Sequence, residues 1–167
     1  KDQQRRPLLT IVFVIDKSGS MGDQSGGVTK VDLAKEAAIR SVELLFPSDR
    51  VGVVAFDDSA QWVVNLTDLS DPQTVVNRIG TIRPGGGTDI LAGVQAVANV
   101  LPDDPAQLKH VILLTDGGAD PTNIPELYTV GKHEFRGAKY ALVHVMGNMF
   151  TDESAKVLRW LADNYNT

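Results

Sequence analysis

Leu8-Leu9-Thr10-Ile11-Val12-Phe13-Val14-Ile15 runs directly into Asp16-Lys17-Ser18-Gly19-Ser20-Met21-Gly22. The first half is nearly all apolar and β-branched, with no polar alternation. That is the pattern of a strand buried on both faces, as in a parallel sheet. The second half sets oxygen side chains at 16, 18 and 20 immediately after it. An ordinary turn uses an Asp or a Ser. Three oxygens at every second position ask for a further reason, although a solvated turn is the plain alternative. The alternate spacing predicts all three on one side of a locally extended segment.

Outward from this stretch the same switch recurs. His110 to Leu114 is a buried strand that ends in Thr115-Asp116-Gly117-Gly118. Further strands are predicted at Arg50–Phe56 and Tyr140–Met146. A tight turn at Asp57-Asp58-Ser59 leads into Gln61–Asn65, predicted as an antiparallel edge strand. Residues 30–45 have helical spacing, with Val31, Ala34, Ala38, Val42 and Leu45 on one face. A short helix starts near Asp71-Pro72, with Pro at its first position. Residues 89–101 are apolar almost all round, which predicts a deeply packed helix. Further helices are predicted near 125–136 and 152–164. Alternating strands and helices imply an α/β fold with a mostly parallel central sheet covered on both faces.

The 167 residues suit one domain with a full core, assigned to 8–167 after a flank at 1–7. The chain opens on Lys1 rather than Met, so it is expected to be a piece of a longer protein. Apolar residues make up 43% and charged residues 22%, which is ordinary for a globular domain. No apolar run is long enough for a membrane span, so no direct membrane insertion of this segment is expected. Cysteine is absent, which excludes disulfides, thiolate metal sites and a Cys nucleophile. The net charge of −5 and the scattered basic residues argue against nucleic acid.

In an open α/β sheet, ligands bind beyond the carboxyl ends of the strands where the topology reverses. If the strands ending in Asp16 and Asp116 are neighbours, their carboxylates meet there. The loop Arg83-Pro84-Gly85-Gly86-Gly87-Thr88-Asp89 can bring Thr88 to the same place, because glycines permit close backbone approach. Two carboxylates and three hydroxyls, from Asp16, Asp116, Ser18, Ser20 and Thr88, form an all-oxygen set that suits a hard cation. Few carboxylates, neutral oxygens and room for water favour Mg²⁺ or Mn²⁺ over Ca²⁺.

This combination resembles the metal-ion-dependent adhesion site of von Willebrand factor type A domains. Asp16-x-Ser18-x-Ser20, Thr88 after a glycine run, and Asp116 followed by Gly match its five positions in order. The resemblance covers the chain from about residue 8 to its end. It implies a doubly wound, Rossmann-like sandwich with helices on both faces and one antiparallel edge strand. It also implies a protein-protein interaction module for adhesion or scaffolding. Some ligands would act through water, and the partner protein would supply a Glu or Asp carboxylate. Lys17, Met21, Gly86 and Gly87 are the candidates to face that partner, although a solvated loop explains them equally well. The parent protein could be secreted, membrane-anchored or part of a cytoplasmic complex. Such domains usually have six strands and five are counted here, so the tail Asn164–Thr167 could begin a truncated sixth.

Other residues have simpler readings. Thr88 could be only the N-cap of the helix at 89–101, and Asp89 complements that helix's dipole. Asp23, Asp57, Asp58 and Asp120 read as turn residues. Trp62 covers the sheet edge, and His110, His133 and His144 are dispersed. An enzyme, a Mg²⁺-dependent hydrolase or phosphotransferase, is the alternative function. Gly19-Ser20-Met21-Gly22 comes close to a nucleophile elbow, but Ser18 stands where that motif needs Gly. The glycine run lacks the Lys of a phosphate loop.

Overall fold

The computed structural model describes residues 8–25, 27–106, 108–115, 138–140 and 144–145. The opening apolar run forms β1 (Leu9–Asp16), followed by a 3-10 turn at Gly19–Gly22. A small hairpin of β2 (Gln24–Ser25) and β3 (Val28–Thr29) leads to α1 (Lys30–Glu43). Then come β4 (Arg50–Phe56), β5 (Ala60–Asp68), α2 (Pro72–Gly80) and α3 (Ile90–Ala98). A 3-10 turn at Leu101–Asp103 precedes β6 (Leu108–Thr115), and β7 (Ala138–Tyr140) and β8 (His144–Val145) complete the described elements.

The sheet order is β5-β4-β1-β6-β7, with β8 also paired to β6. All these pairs are parallel except β4–β5, which is antiparallel. This is the predicted mixed sheet with one antiparallel edge strand. Of the strand expected at Tyr140–Met146, the described residues show β7 and β8, both parallel to β6, and residues 141–143 between them lie outside the described residues. Among the described residues the sheet is built of six strand segments, the last two falling at the fifth expected strand. The helices predicted near 125–136 and 152–164, and the tail Asn164–Thr167, lie outside the described residues.

Strand side chains alternate between faces, and each face has its own cover. Phe13, Ile15, Val51, Val53 and Ala55 join Val31, Ala34, Ala38 and Val42 of α1 and Val75 and Ile79 of α2 in one core cluster. On the other face α3 lies so close that a Cβ on Gly93 would be 2.8 Å from Phe56 Cδ2 and 3.0 Å from Val14 Cγ1. Phe13 and Phe56 are the largest fully buried side chains, and burying each stabilises the fold by about 1.5–3 kcal/mol.

The helices start where their caps allow. Thr29 accepts from Asp32 N–H at 3.3 Å to open α1. Asp71 accepts from Thr74 N–H at 3.3 Å to open α2, with Pro72 at the first helical position. The predicted face of α1 is the buried one, and Leu45 packs against the core just beyond the helix. For α3 (Ile90–Ala98) burial is mixed among the residues whose side chains are described. Ile90, Gly93 and Val97 are buried, but Ala92, Gln95 and Ala96 are only half-buried and Val100 is exposed.

Two further features frame the sheet. β5 pairs with β4 through two register shifts, between Val51 and Val53 and between Val53 and Val54. Trp62 reaches over Gly52, where a Cβ would lie 2.8 Å from its Cζ3. At the amino-terminal end of the strands, the buried Asp104 accepts from Thr10 Oγ1 at 2.5 Å, Ala106 N–H at 3.2 Å and Arg50 Nε at 2.9 Å. One carboxylate thus ties the starts of β1 and β4 to the segment before β6. Among the described residues, no helix is long and apolar enough to cross a membrane.

Candidate functional site

The chain passes from β1 outward to β4 and β5, then returns across β1 to β6. The direction of winding reverses between β1 and β6, which is where an α/β sheet opens a crevice at its carboxyl end. The two strands run in register up to Ile15 opposite Leu114. Asp16 and Thr115 are their last residues, and both are fully buried. Asp16 Oδ1 accepts from Ser18 N–H at 2.8 Å, and Oδ2 accepts from Thr115 Oγ1 at 2.7 Å. A buried carboxylate needs such donors, and this pair fixes its orientation.

Beyond Asp16 the extended geometry predicted for 16–20 gives way to a turn. Ser18 is extended (φ −60°, ψ 165°), and the 3-10 turn begins at Gly19. Met21 N–H donates to Ser18 O at 2.9 Å and Asp23 N–H to Ser20 O at 3.1 Å. The turn brings Ser18 Oγ and Ser20 Oγ to 3.3 Å. It also swings Met21 fully into the core beside Phe13 and Ile15. Met21 therefore does not face a partner. Its apolar side chain is what anchors the turn to the sheet.

The glycine loop is bonded to this turn from above. Gly85 N–H donates to Lys17 O at 2.8 Å, and Gly19 N–H donates to Gly86 O at 2.9 Å. Gly86 is exposed and adopts φ +85°, a conformation that favours glycine. Gly87 N–H donates to Asp58 Oδ2 at 3.1 Å, and Asp89 N–H donates to Asp57 O at 2.8 Å. Thr88 sits between these two attachments and is half-buried. It is not the helix cap: Asp89 is, accepting from Ala92 N–H at 3.2 Å.

Asp57 and Asp58 form the expected turn, and they also join the loops. Lys17 Nζ lies 2.7 Å from Asp57 Oδ2, so the Lys17 ammonium is turned toward this carboxylate. The hydrogen bond from Lys17 holds the Asp57 carboxyl below the usual carboxylate range, against a smaller opposing effect of burial.

The structure thus gathers Asp16, Ser18 and Ser20 in one turn and bonds the Thr88 loop to it. Asp116 lies outside the described residues. Thr115, Asp57 and Asp58 are parts of the site's frame that sequence reasoning did not assign. For Thr115 a signal existed: a polar residue closing an aliphatic strand beside Asp116. Among the described residues, no three His, Cys, Asp or Glu side chains cluster as a metal site would. The oxygens gathered here come mainly from hydroxyls.

The sequence profile of the von Willebrand factor type A domain matches residues 11–119, more than half of the chain. The chain belongs to this family. Mouse inter alpha-trypsin inhibitor heavy chain 4 is 35% identical over 124 residues, covering 67% of this chain and 12% of the relative. The matches span 27%, 12% and 12% of three curated relatives, so the chain corresponds to a small part of each. Among solved structures, the von Willebrand factor type A protein from Catenulispora acidiphila has a TM-score of 0.78 at 24% identity, covering 95% of this chain and 37% of that one. The type V pili tip protein Mfa5 from Porphyromonas gingivalis has a TM-score of 0.60 at 26% identity, covering 68% of this chain and 20% of that one.

Proposed function

We propose that the carboxyl end of the sheet is a metal-ion-dependent adhesion site, through which the domain binds another protein. The observation that carries this reading is the fully buried, donor-oriented Asp16 beside two serine oxygens 3.3 Å apart. At Mg²⁺–oxygen distances of 2.0–2.1 Å, adjacent ligands of an octahedron lie about 2.9 Å apart. Small rotations of the two hydroxyls would close the difference, so the donor set fits the ion. Asp16, Ser18, Ser20, Thr88 and Asp116 would hold Mg²⁺ or Mn²⁺, with Ca²⁺ less favoured by so few carboxylates. When bound, the ion would supply a Lewis-acid position for an anionic oxygen.

The partner in this reading contributes a Glu or Asp carboxylate. If Asp116 acts through water, one inner-shell carboxylate would leave the ion electrophilic. Exposed Gly86 and half-buried Gly87 would frame the contact. Two solved relatives are named as pilus components, the tip protein Mfa5 and the PilB minor pilin of Streptococcus sanguinis, which supports binding rather than catalysis. No intrinsic hydrolytic or phosphoryl-transfer activity is proposed. Phosphoester turnover that vanishes in folded Ser20→Ala would overturn that part.

The test of the metal reading is calorimetric titration of Mg²⁺ and Mn²⁺ into the wild type and Asp16→Ala. Binding by the wild type and its loss in the variant are expected. Equal affinity for both would refute the site. Thr88→Ala should weaken metal and partner binding more than it lowers stability, since a half-buried hydroxyl carries little packing.

A further inference from the structure

Lys17 is the cation within the Asp16–Ser20 segment, set between two of the proposed ligands. Its ammonium is 2.7 Å from Asp57 Oδ2, and the side chains are only 18% and 19% exposed. Asp57 lies directly under the glycine loop, where a Cβ on Gly86 would be 2.8 Å from the same oxygen. Its other oxygen accepts from Ser59 N–H at 3.2 Å, and its carbonyl accepts from Asp89 N–H at 2.8 Å. The ion pair is therefore wedged between the segment bearing Asp16, Ser18 and Ser20 and the segment bearing Thr88.

We propose that Asp57 sets the cation affinity of the site by neutralising Lys17, an inference that rests on the metal reading above. An uncompensated unit charge about 10 Å from a divalent ion opposes its binding about fourfold even at the dielectric constant of water, and more at a protein surface. Paired with Asp57, the same ammonium leaves only a dipole, whose field falls off faster. Asp57 is thus a positioning and affinity-setting residue without being a ligand.

The sign of the response separates this role from a mechanical tether. Neutralisation makes Asp57→Asn bind Mg²⁺ several-fold more weakly, on the order of fourfold, and makes Lys17→Gln bind it more tightly by a similar factor. The double variant returns close to the wild type. A tether that only holds the loops makes both single variants weaker and the double no better. Calorimetric Mg²⁺ titrations of the four proteins near 10 mM ionic strength, where the Debye length is about 30 Å, read these signs directly. Repeating them near 1 M, where it is about 3 Å, should collapse the differences. Thermal melts confirm that each variant is folded, and Lys17→Gln carries the test alone if Asp57→Asn does not fold. Opposite signs that vanish in salt support the proposal. Weakening in Lys17→Gln, or unchanged affinity in a folded variant, overturns it while leaving the metal site standing. A wild type that binds no more Mg²⁺ than Asp16→Ala overturns the metal reading and this inference with it.

Discussion

Gly86→Ala should destabilise the domain well beyond the usual cost of a positive φ. At φ +85° an alanine strains its backbone by about 1–2 kcal/mol. The new Cβ would also stand 2.8 Å from Asp57 Oδ2 and 3.1 Å from Asp57 Cβ and Cγ. Asp57 cannot simply swing away. Lys17 holds its carboxylate at 2.7 Å, and its own N–H donates to Ser59 O at 2.9 Å. Relieving the clash means breaking the largely buried ion pair or shifting the loop, which adds about 1–2 kcal/mol. Gly27→Ala is the internal control, since Gly27 has φ +87° and nothing within 4 Å of a built Cβ. It carries the backbone cost alone. Urea denaturation of both variants should show Gly86→Ala less stable by that extra 1–2 kcal/mol, a further loss in Tm of about 2–8 °C for a domain of this size. Equal losses in the two variants would refute the contact with Asp57.

Gly93→Ala should destabilise despite the better helix propensity of alanine. The gain of about 1 kcal/mol is set against an overpacking cost of about 1–3 kcal/mol between Phe56 and Val14, and thermal melts read the balance. Asp104→Ala should cost about 3–5 kcal/mol in a denaturant titration, because it leaves the Arg50 guanidinium and the buried Thr10 hydroxyl without their partner. Asp57 and Asp71 are held below the ordinary value of 3.8, by Lys17 and by the Thr74 side chain respectively. Each therefore contributes stability that is fully present above the unfolded value and is lost as pH falls through the lower folded value. Tm measured from pH 6 to pH 2 should fall most steeply below about 4, and Asp71→Asn should flatten that fall.

What the sequence makes legible here is local. β1, β4 and α1 announce themselves because each buries a pattern written in consecutive residues. Asp16, Ser18 and Ser20 stand out for the same reason. Their gathering is less visible, because the 3-10 turn forms where Met21 finds a core to enter, and that core belongs to other elements. The bond from Thr115 to Asp16 joins residues 99 positions apart, and the Lys17–Asp57 pair spans 40. Neither distance has a periodic signature. Both become readable once β1 is known to lie between β4 and β6.

β5 sets nine residues against the seven of β4. The two additional residues break the even spacing of amides along its outer edge, so an incoming extended chain would find no continuous row of donors and acceptors to zip against. Growth of the sheet by a borrowed strand is thereby discouraged on this side. Crowded copies of the domain would be kept from knitting their sheets together there.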